Sequence, residues 1–301
     1  SHIKAHERDV VYDAEHYIHN NKHNPPYALR TLEAAQQAGA DVLCLCDTNG
    51  GTMPEQVAEI VAEVRKRFDG IVGIHAHNDS DVAVANTLIA VENGATHVQG
   101  TFNGYGERCG NANLCSVIAN LELKYGHTSI GPEKLKQLTP LARLVADLAN
   151  LPMRRETPYV GPSAFAHKGG IHVSAVMKHS ATYEHIPPEL VGNRQRVLLS
   201  DLSGRSNVSY KLEQHGMAAG LNDEARRELL DRIKEMEFQG YDFESAEGTF
   251  ELMVRQALNP GQDFFEVVSA ESVTQMSEQQ PTRATATVTV RTMEGANHAM
   301  A

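Results

Sequence analysis

Two histidines one residue apart, His75 and His77, close an apolar, β-branched run that begins at Gly70 and leads into Asn78-Asp79. Residues i and i+2 of a strand project to the same face, so both imidazoles can meet one point in space, the arrangement a divalent cation requires. A second run, Gly104-Tyr105-Gly106-Glu107-Arg108-Cys109-Gly110-Asn111, follows the next apolar segment and has the glycine content of a loop that approaches a ligand closely. The plainer reading of His-x-His is two polar side chains bonded to backbone or water at a strand exit. Asn78 and Asp79, however, are suited to cap the helix expected from Asp81, which puts the histidines at a strand-to-helix turn. In an α/β barrel that end carries the chemistry.

The elements that must position these residues repeat as apolar strand, polar turn and amphipathic helix. Strands are expected at 9–14, 41–47, 71–77 and 97–102, with helices from Pro25, Pro54, Asp81 and Asn113. Asn24-Pro25-Pro26 and Thr52-Met53-Pro54-Glu55 join a capping residue to an early proline, and Gly39, Gly70 and Gly94 stand where helices stop. Strands alternating with helices imply a parallel sheet. Four such units are present where a closed barrel needs eight. The expected fold class is therefore α/β, with residues 1–128 read most simply as the C-terminal half of a TIM (β/α)8 barrel; the alternative, a small open sheet, would need its first strand edge covered by another element or chain. Residues 129–260 read as a mostly helical linker domain, with helices at 132–150, 207–215, 223–239 and 248–258 and an ordered loop running from Tyr159 to His172. Residues 261–301 turn to strand-like alternation at 264–268 and 284–290, the start of a β-containing domain.

The formal net charge of −11 disfavours a nucleic-acid partner, whose phosphates most of the surface would repel. No apolar run approaches the ~18–20 residues of a membrane span, and the first residues lack the apolar core of a signal peptide, so a cytoplasmic protein is expected. Cys44 and Cys46 alternate on an apolar strand and read as small core hydrophobes in a reducing compartment. A Cys-x-Cys zinc site would need a second pair at suitable spacing, which the sequence does not supply.

Several motifs together resemble the family of 2-isopropylmalate, citramalate and homocitrate synthases, and the citramalate branch in particular. They are Val11-Tyr12-Asp13-Ala14-Glu15-His16, Leu45-Cys46-Asp47-Thr48-Asn49-Gly50-Gly51, and the runs 74–79, 103–114, 165–176, 190–193 and 202–207. The family joins the methyl carbon of acetyl-CoA to the keto carbon of a 2-oxoacid and then hydrolyses the thioester. The resemblance implies a divalent metal (Zn, Mn, Mg or Co) held by His75, His77 and Asn111, with His75 also touching substrate. An aspartate ligand and a charge-neutralising arginine would come from a first barrel strand that this sequence does not include. Glu15 and His172 are the implied acid/base network, with Tyr183 assisting and His167 as the rival of His172. Thr48 is the implied contact for the substrate carboxylate, and by parity Cys44 and Cys46 should share its face while Leu43 and Leu45 pack on helices.

Asn78, Asp79, Gly104, Gly106, Glu107, Arg108 and Gly110 would shape and orient the metal loop, Glu107 and Arg108 as an ion pair or as partners of the ligands. Arg194, Arg196, Lys168 and Arg205 read as a solvated face more readily than as contacts to CoA phosphates. The resemblance also implies a homodimer in which the segment around His172 reaches over the partner's active site, and a terminal regulatory domain. Two departures stand out: Asp81 where the family has glycine, and Tyr17-Ile18-His19-Asn20 after Glu15. The leading expectation is condensation of acetyl-CoA with pyruvate, followed by 2-isopropylmalate synthesis from 2-oxoisovalerate. Outside that class stand an inactive fragment that binds metal or other chains, and a metal-dependent hydrolase that would not use His172.

Overall fold

The computed structural model describes residues 2–198, 205–214, 221–241, 243, 247–259, 265–277, 280–292 and 295–300. They form two compact units, residues 1–166 with 175–196, and residues 167–174 with 197–301. In the first unit, strands β1 (Val11–Ala14), β2 (Val42–Asp47), β3 (Ile71–Ala76) and β4 (His97–Gln99) lie side by side in chain order, and every neighbouring pair is parallel. The expected βα repetition is therefore present. Between and after the strands run helices α1 (Tyr17–His23), α2 (Pro25–Gln37), α3 (Pro54–Arg67), α4 (Ala83–Glu92) and α5 (Leu114–Leu123).

Local chemistry sets these helix ends. Asn24 caps α2 by accepting the Tyr27 N–H, Asn113 caps α5 by accepting the Cys115 N–H, and Pro54 opens α3. Glu55 in the first turn of α3 and Arg65, Lys66 and Arg67 in its last turn complement the helix dipole. Ala14, Leu43, Leu45, Val72 and Ile74 face the helices and bury against Ile18, Leu32, Val57, Val61 and Val64. The strand period of two sends Asp13, Cys44, Cys46, His75 and Gln99 to the opposite face. Register places Asp13, Cys44, Gly73 and His97 in one row across the sheet, and Cys46, His75 and Gln99 in the next row toward the carboxyl ends.

Several boundaries differ from expectation. Strand β4 stops at Gln99 because Thr101 leaves the sheet to pair with Asn113, donating its N–H to the Ala112 carbonyl. Helix α1 was not expected; it starts after His16, which takes a left-handed conformation at φ 57°. The expected helix at 132–150 is two helices, Pro132–Leu135 and Leu138–Ala149. Pro140 has no N–H for the Lys136 carbonyl and its ring would clash there, so a helix cannot run through that turn. Leu135, Leu138 and Ala142 bury with Tyr159, Val160, Phe165, Ile186 and Val191. His172, expected in a loop, lies on a helix at Gly170–Lys178.

The second unit contains helices Arg205–Gln214, Asp223–Phe238 and Glu247–Leu258, packed through Val208, Leu212, Leu229, Ile233, Phe250 and Val254. Its strands Phe265–Ser277, Gln280–Thr292 and Gly295–Met300 form an antiparallel sheet in that order. Residues 202–204, 215 and 264 and the Arg205 side chain, which figure in the expectations above, lie outside the described residues. Among the described residues no helix is long and apolar enough to cross a membrane.

Candidate functional site

The site is built where β3 ends. The rings of His75 and His77 stand with centroids 5.4 Å apart. His77 pairs antiparallel with Asn111, while the Ala112 N–H donates to the Ala76 carbonyl at 3.0 Å and the Asn78 N–H to the Gly110 carbonyl at 2.9 Å. The glycine loop is thus zipped onto the strand exit, and His77 and Asn111 become neighbours although 34 residues separate them. Gly110 makes this turn with φ +89°, and a Cβ there would run into the Gly104 carbonyl oxygen. A Cβ on Gly106 would stand 3.0 Å from the Asn111 carboxamide nitrogen, so the loop wraps that side chain closely.

Two atoms at this corner are left without partners. Both the Nδ1 of His77 and the Oδ1 of Asn111 are buried with no hydrogen bond among the described residues, a condition that costs roughly 1–3 kcal/mol per group unless something else binds them. Burial, with the Arg108 and His75 charges adding to it, holds the His77 imidazole below the usual histidine range. The neutral ring is the form that donates a lone pair to a metal. His75 meets the Gln99 Oε1 through its Nδ1 at 2.8 Å. A divalent cation fits this donor set: two imidazoles and a carboxamide oxygen on adjacent chain exits, two of their polar atoms otherwise unsatisfied.

Beside this corner Thr48 joins two further residues. Its hydroxyl donates to Glu15 Oε2 at 2.8 Å and accepts the His16 N–H at 2.8 Å, so the carboxylate is held against the end of β2. Arg108 donates from Nε and Nη2 to the two oxygens of Asp79, at 2.7 and 2.9 Å, and from Nη2 to the Thr48 carbonyl at 2.7 Å. Asp79 is therefore the ion-pair partner of Arg108, and the pair ties the glycine loop to the β2 exit. The next helix starts at Ala83, two residues later than expected, with Val82 and not Asn78 or Asp79 as its N-cap; Asn78 accepts the Ala83 N–H from the preceding turn, and Asp79 serves Arg108 instead. Asp81 sits at φ 57°, a left-handed position where glycine is the easier residue, and the Asn78 carboxamide donates to its Oδ1.

Tyr183 follows a short 3-10 turn in the first unit and is 48% exposed; His172 is exposed and belongs to the second unit, as does the buried His167. Lys168 and Arg194 are exposed, and Arg196 reaches the Pro162 carbonyl. All four cysteines are free thiols. Cys44 and Cys46 are 0% and 2% exposed, with ligand atoms within 4.8 Å of each other and of Asp13. The hydrogen bond with Cys46 and burial push the Cys44 thiol far up, so Cys44 is a protonated packing group.

Sequence reasoning missed Gln99. Its Nε2 donates to Asp13 Oδ1 at 2.8 Å while its Oε1 meets His75, which links β1, β4 and β3 in one chain of hydrogen bonds. Strand parity places both residues on the correct face, but nothing local sets the register that brings Asp13 to Gln99 across 86 residues.

Two family profiles match the chain, one described as HMGL-like over residues 3–145 and one described as homocitrate synthase post-HMGL domain-like over residues 159–240. The (R)-citramalate synthase of Geobacter sulfurreducens is 54% identical over 266 residues, covering 88% of this chain and 50% of its own length. That of Aquifex aeolicus is 53% identical over 265 residues, with the same 88% and 50% coverage. The (R)-citramalate synthase of Streptomyces coelicolor is 46% identical over 276 residues, 91% of this chain and 52% of its own. The chain spans about half the length of the curated relatives it matches.

Proposed function

The chain belongs to the citramalate synthase branch of the HMGL-like family, and we propose that it carries the metal-holding and proton-abstracting part of a site that condenses acetyl-CoA with pyruvate to citramalate. The observation that carries this reading is the pair of buried, unpartnered atoms on His77 and Asn111 beside His75. In this reading the four βα units are the second half of a (β/α)8 barrel at residues 1–128. Residues 129–260 form the helical part and residues 261–301 the start of a regulatory domain. The setting is cytoplasmic, in branched-chain amino-acid biosynthesis, and the assembly a homodimer.

His75, His77 and Asn111 would hold a divalent ion, which when bound chelates the 2-oxoacid and polarises its keto carbonyl. Thr48 offers its hydroxyl to the substrate carboxylate. When it does so, it lets go of Glu15 Oε2, and the freed carboxylate becomes a base at the same end of the sheet. Glu15 then takes a proton from the acetyl methyl as that C–H bond breaks. The methyl carbon bonds to the keto carbon, and the keto oxygen gains a proton to become the hydroxyl. In the homodimer that the family resemblance implies, the partner subunit's His172 and Tyr183 would complete the proton path, and water cleaves the thioester to release CoA. Arg108, fixed by Asp79, keeps the Thr48 carbonyl in place, so the hydroxyl that receives substrate does not drift from the metal corner.

The test is acetyl-CoA-dependent release of CoA, followed with a thiol reagent, in this chain joined to the first half of a citramalate synthase barrel. Pyruvate should be preferred to 2-oxoisovalerate. Glu15→Gln should lower kcat by about 10²–10⁴-fold with little change in pyruvate KM. Absence of turnover with any 2-oxoacid would overturn the reading.

A further inference from the structure

We propose that Asp13 and Gln99 act as positioning residues that select the tautomer of His75, leaving only its Nε2 able to bind a metal. The argument is one of donors and acceptors. The Asp13 carboxylate can only accept, so the Gln99 group 2.8 Å from it must be the amide NH2. The Gln99 oxygen is then the atom facing His75 Nδ1 at 2.8 Å, and an oxygen can only accept. Nδ1 must therefore carry the ring proton. A neutral imidazole has one donor and one acceptor nitrogen, so Nε2 keeps its lone pair. Free imidazole side chains favour the other tautomer, with the proton on Nε2, which could not ligate through that atom.

The device spans the sheet. Asp13 lies on β1, His75 on β3 and Gln99 on β4, with Gln99 reaching from the His75 row back to the Asp13 row. A negative charge at one edge thereby fixes the ligand atom of a ring on another strand without touching it. A second hydrogen bond that orients a ligating histidine is commonly worth 10- to 100-fold in metal affinity. The proposal rests on the reading of His75 as a ligand, and its test separates the two.

Two readouts are needed on the metal-free and cobalt-titrated protein. Long-range ¹H–¹⁵N correlation spectra of protein labelled with ¹⁵N-histidine report the tautomer, the His75 signals being identified by their loss in His75→Asn. Visible absorption reports Co²⁺ affinity. The wild type should show a protonated Nδ1 on His75. Gln99→Met removes the acceptor and should move the proton toward Nε2. Asp13→Asn, nearly isosteric, permits the Gln99 amide to invert and should give a mixture, a readout that stands even if Gln99→Met does not fold. Both should weaken Co²⁺ binding about 10- to 100-fold. The double variant Asp13→Asn with Gln99→Glu rebuilds the same donor–acceptor order, since the carboxamide on β1 then donates to a carboxylate on β4 that accepts from His75, and should recover affinity to within a few-fold. A His75 tautomer and Co²⁺ affinity unchanged in folded Asp13→Asn and Gln99→Met would overturn the proposal. Failure of the wild type to bind Co²⁺, with the tautomer pattern as expected, would sustain the selection of tautomer while overturning the metal reading above.

Discussion

The two faces of the four-stranded sheet are built from alternate residues of the same strands, yet they follow opposite rules. On the helix side Leu45, Val72 and Ile74 are 0% exposed and pack in one apolar cluster with neighbours such as Val57 and Val61. On the other side stand a carboxylate, two thiols, two imidazoles and a carboxamide, and just beyond the strand ends two polar atoms are buried without partners among the described residues. Unsatisfied polar atoms cost stability, whereas close apolar packing supplies it. The difference is a division made possible by a period of two: one face supplies the apolar packing that holds the sheet together, and the other carries the polar groups.

If the division is real, the faces should fail separately. Ile74→Ala removes a fully buried side chain from the helix face and should destabilise the protein by about 2–5 kcal/mol in urea titrations. Co²⁺ affinity of the folded fraction should stay within a few-fold, because Ile74 faces away from its neighbour His75. The reverse substitution is His77→Ala. It should weaken Co²⁺ binding by about 100-fold or more, while stability changes little, since the Nδ1 it removes makes no hydrogen bond. Parallel losses of stability and metal affinity in both variants would show the two faces to be one coupled structure.

The helix face was largely legible in the sequence, because apolar periodicity, capping asparagines and early prolines are local signals and the sheet needed only their order. His75 and His77 were legible for the same reason: i and i+2 on a strand leave one geometric outcome. What could not be read depends on contacts between distant segments. Arg108 pairs with Asp79, not Glu107, because the loop zips onto β3 in a register that only the folded chain defines. Gln99 looked like an ordinary strand residue until Asp13 arrived opposite it. The break between Leu135 and Leu138 was signalled by Pro140, but apolar periodicity on both sides of it reads as one helix.

Glu122 sharpens the contrast from outside the sheet, since it is a polar group with every partner it needs. Its Oε1 accepts from the N–H groups of Ser129, Ile130 and Gly131 and from the Ser129 hydroxyl, at 2.6 to 3.0 Å, and so fastens the turn after α5. Partial desolvation pushes its pKa up, but the three backbone donors and the hydroxyl outweigh it and hold the carboxyl at about 2, against an ordinary 4.5. A carboxylate depressed in the folded state stabilises that state above the unfolded pKa and ceases to do so as pH falls through the folded one. Wild type should therefore exceed Glu122→Gln in melting temperature by a constant margin above about pH 4.5, and the margin should narrow steadily between pH 4.5 and 2. The effect should be smaller than that of Ile74→Ala, because Glu122 is only half-buried and solvent screens its charge. A margin that did not change over that interval would mean that the four hydrogen bonds do not depend on the charge, and a satisfied polar group would then differ less from the orphaned pair on His77 and Asn111 than the two faces imply.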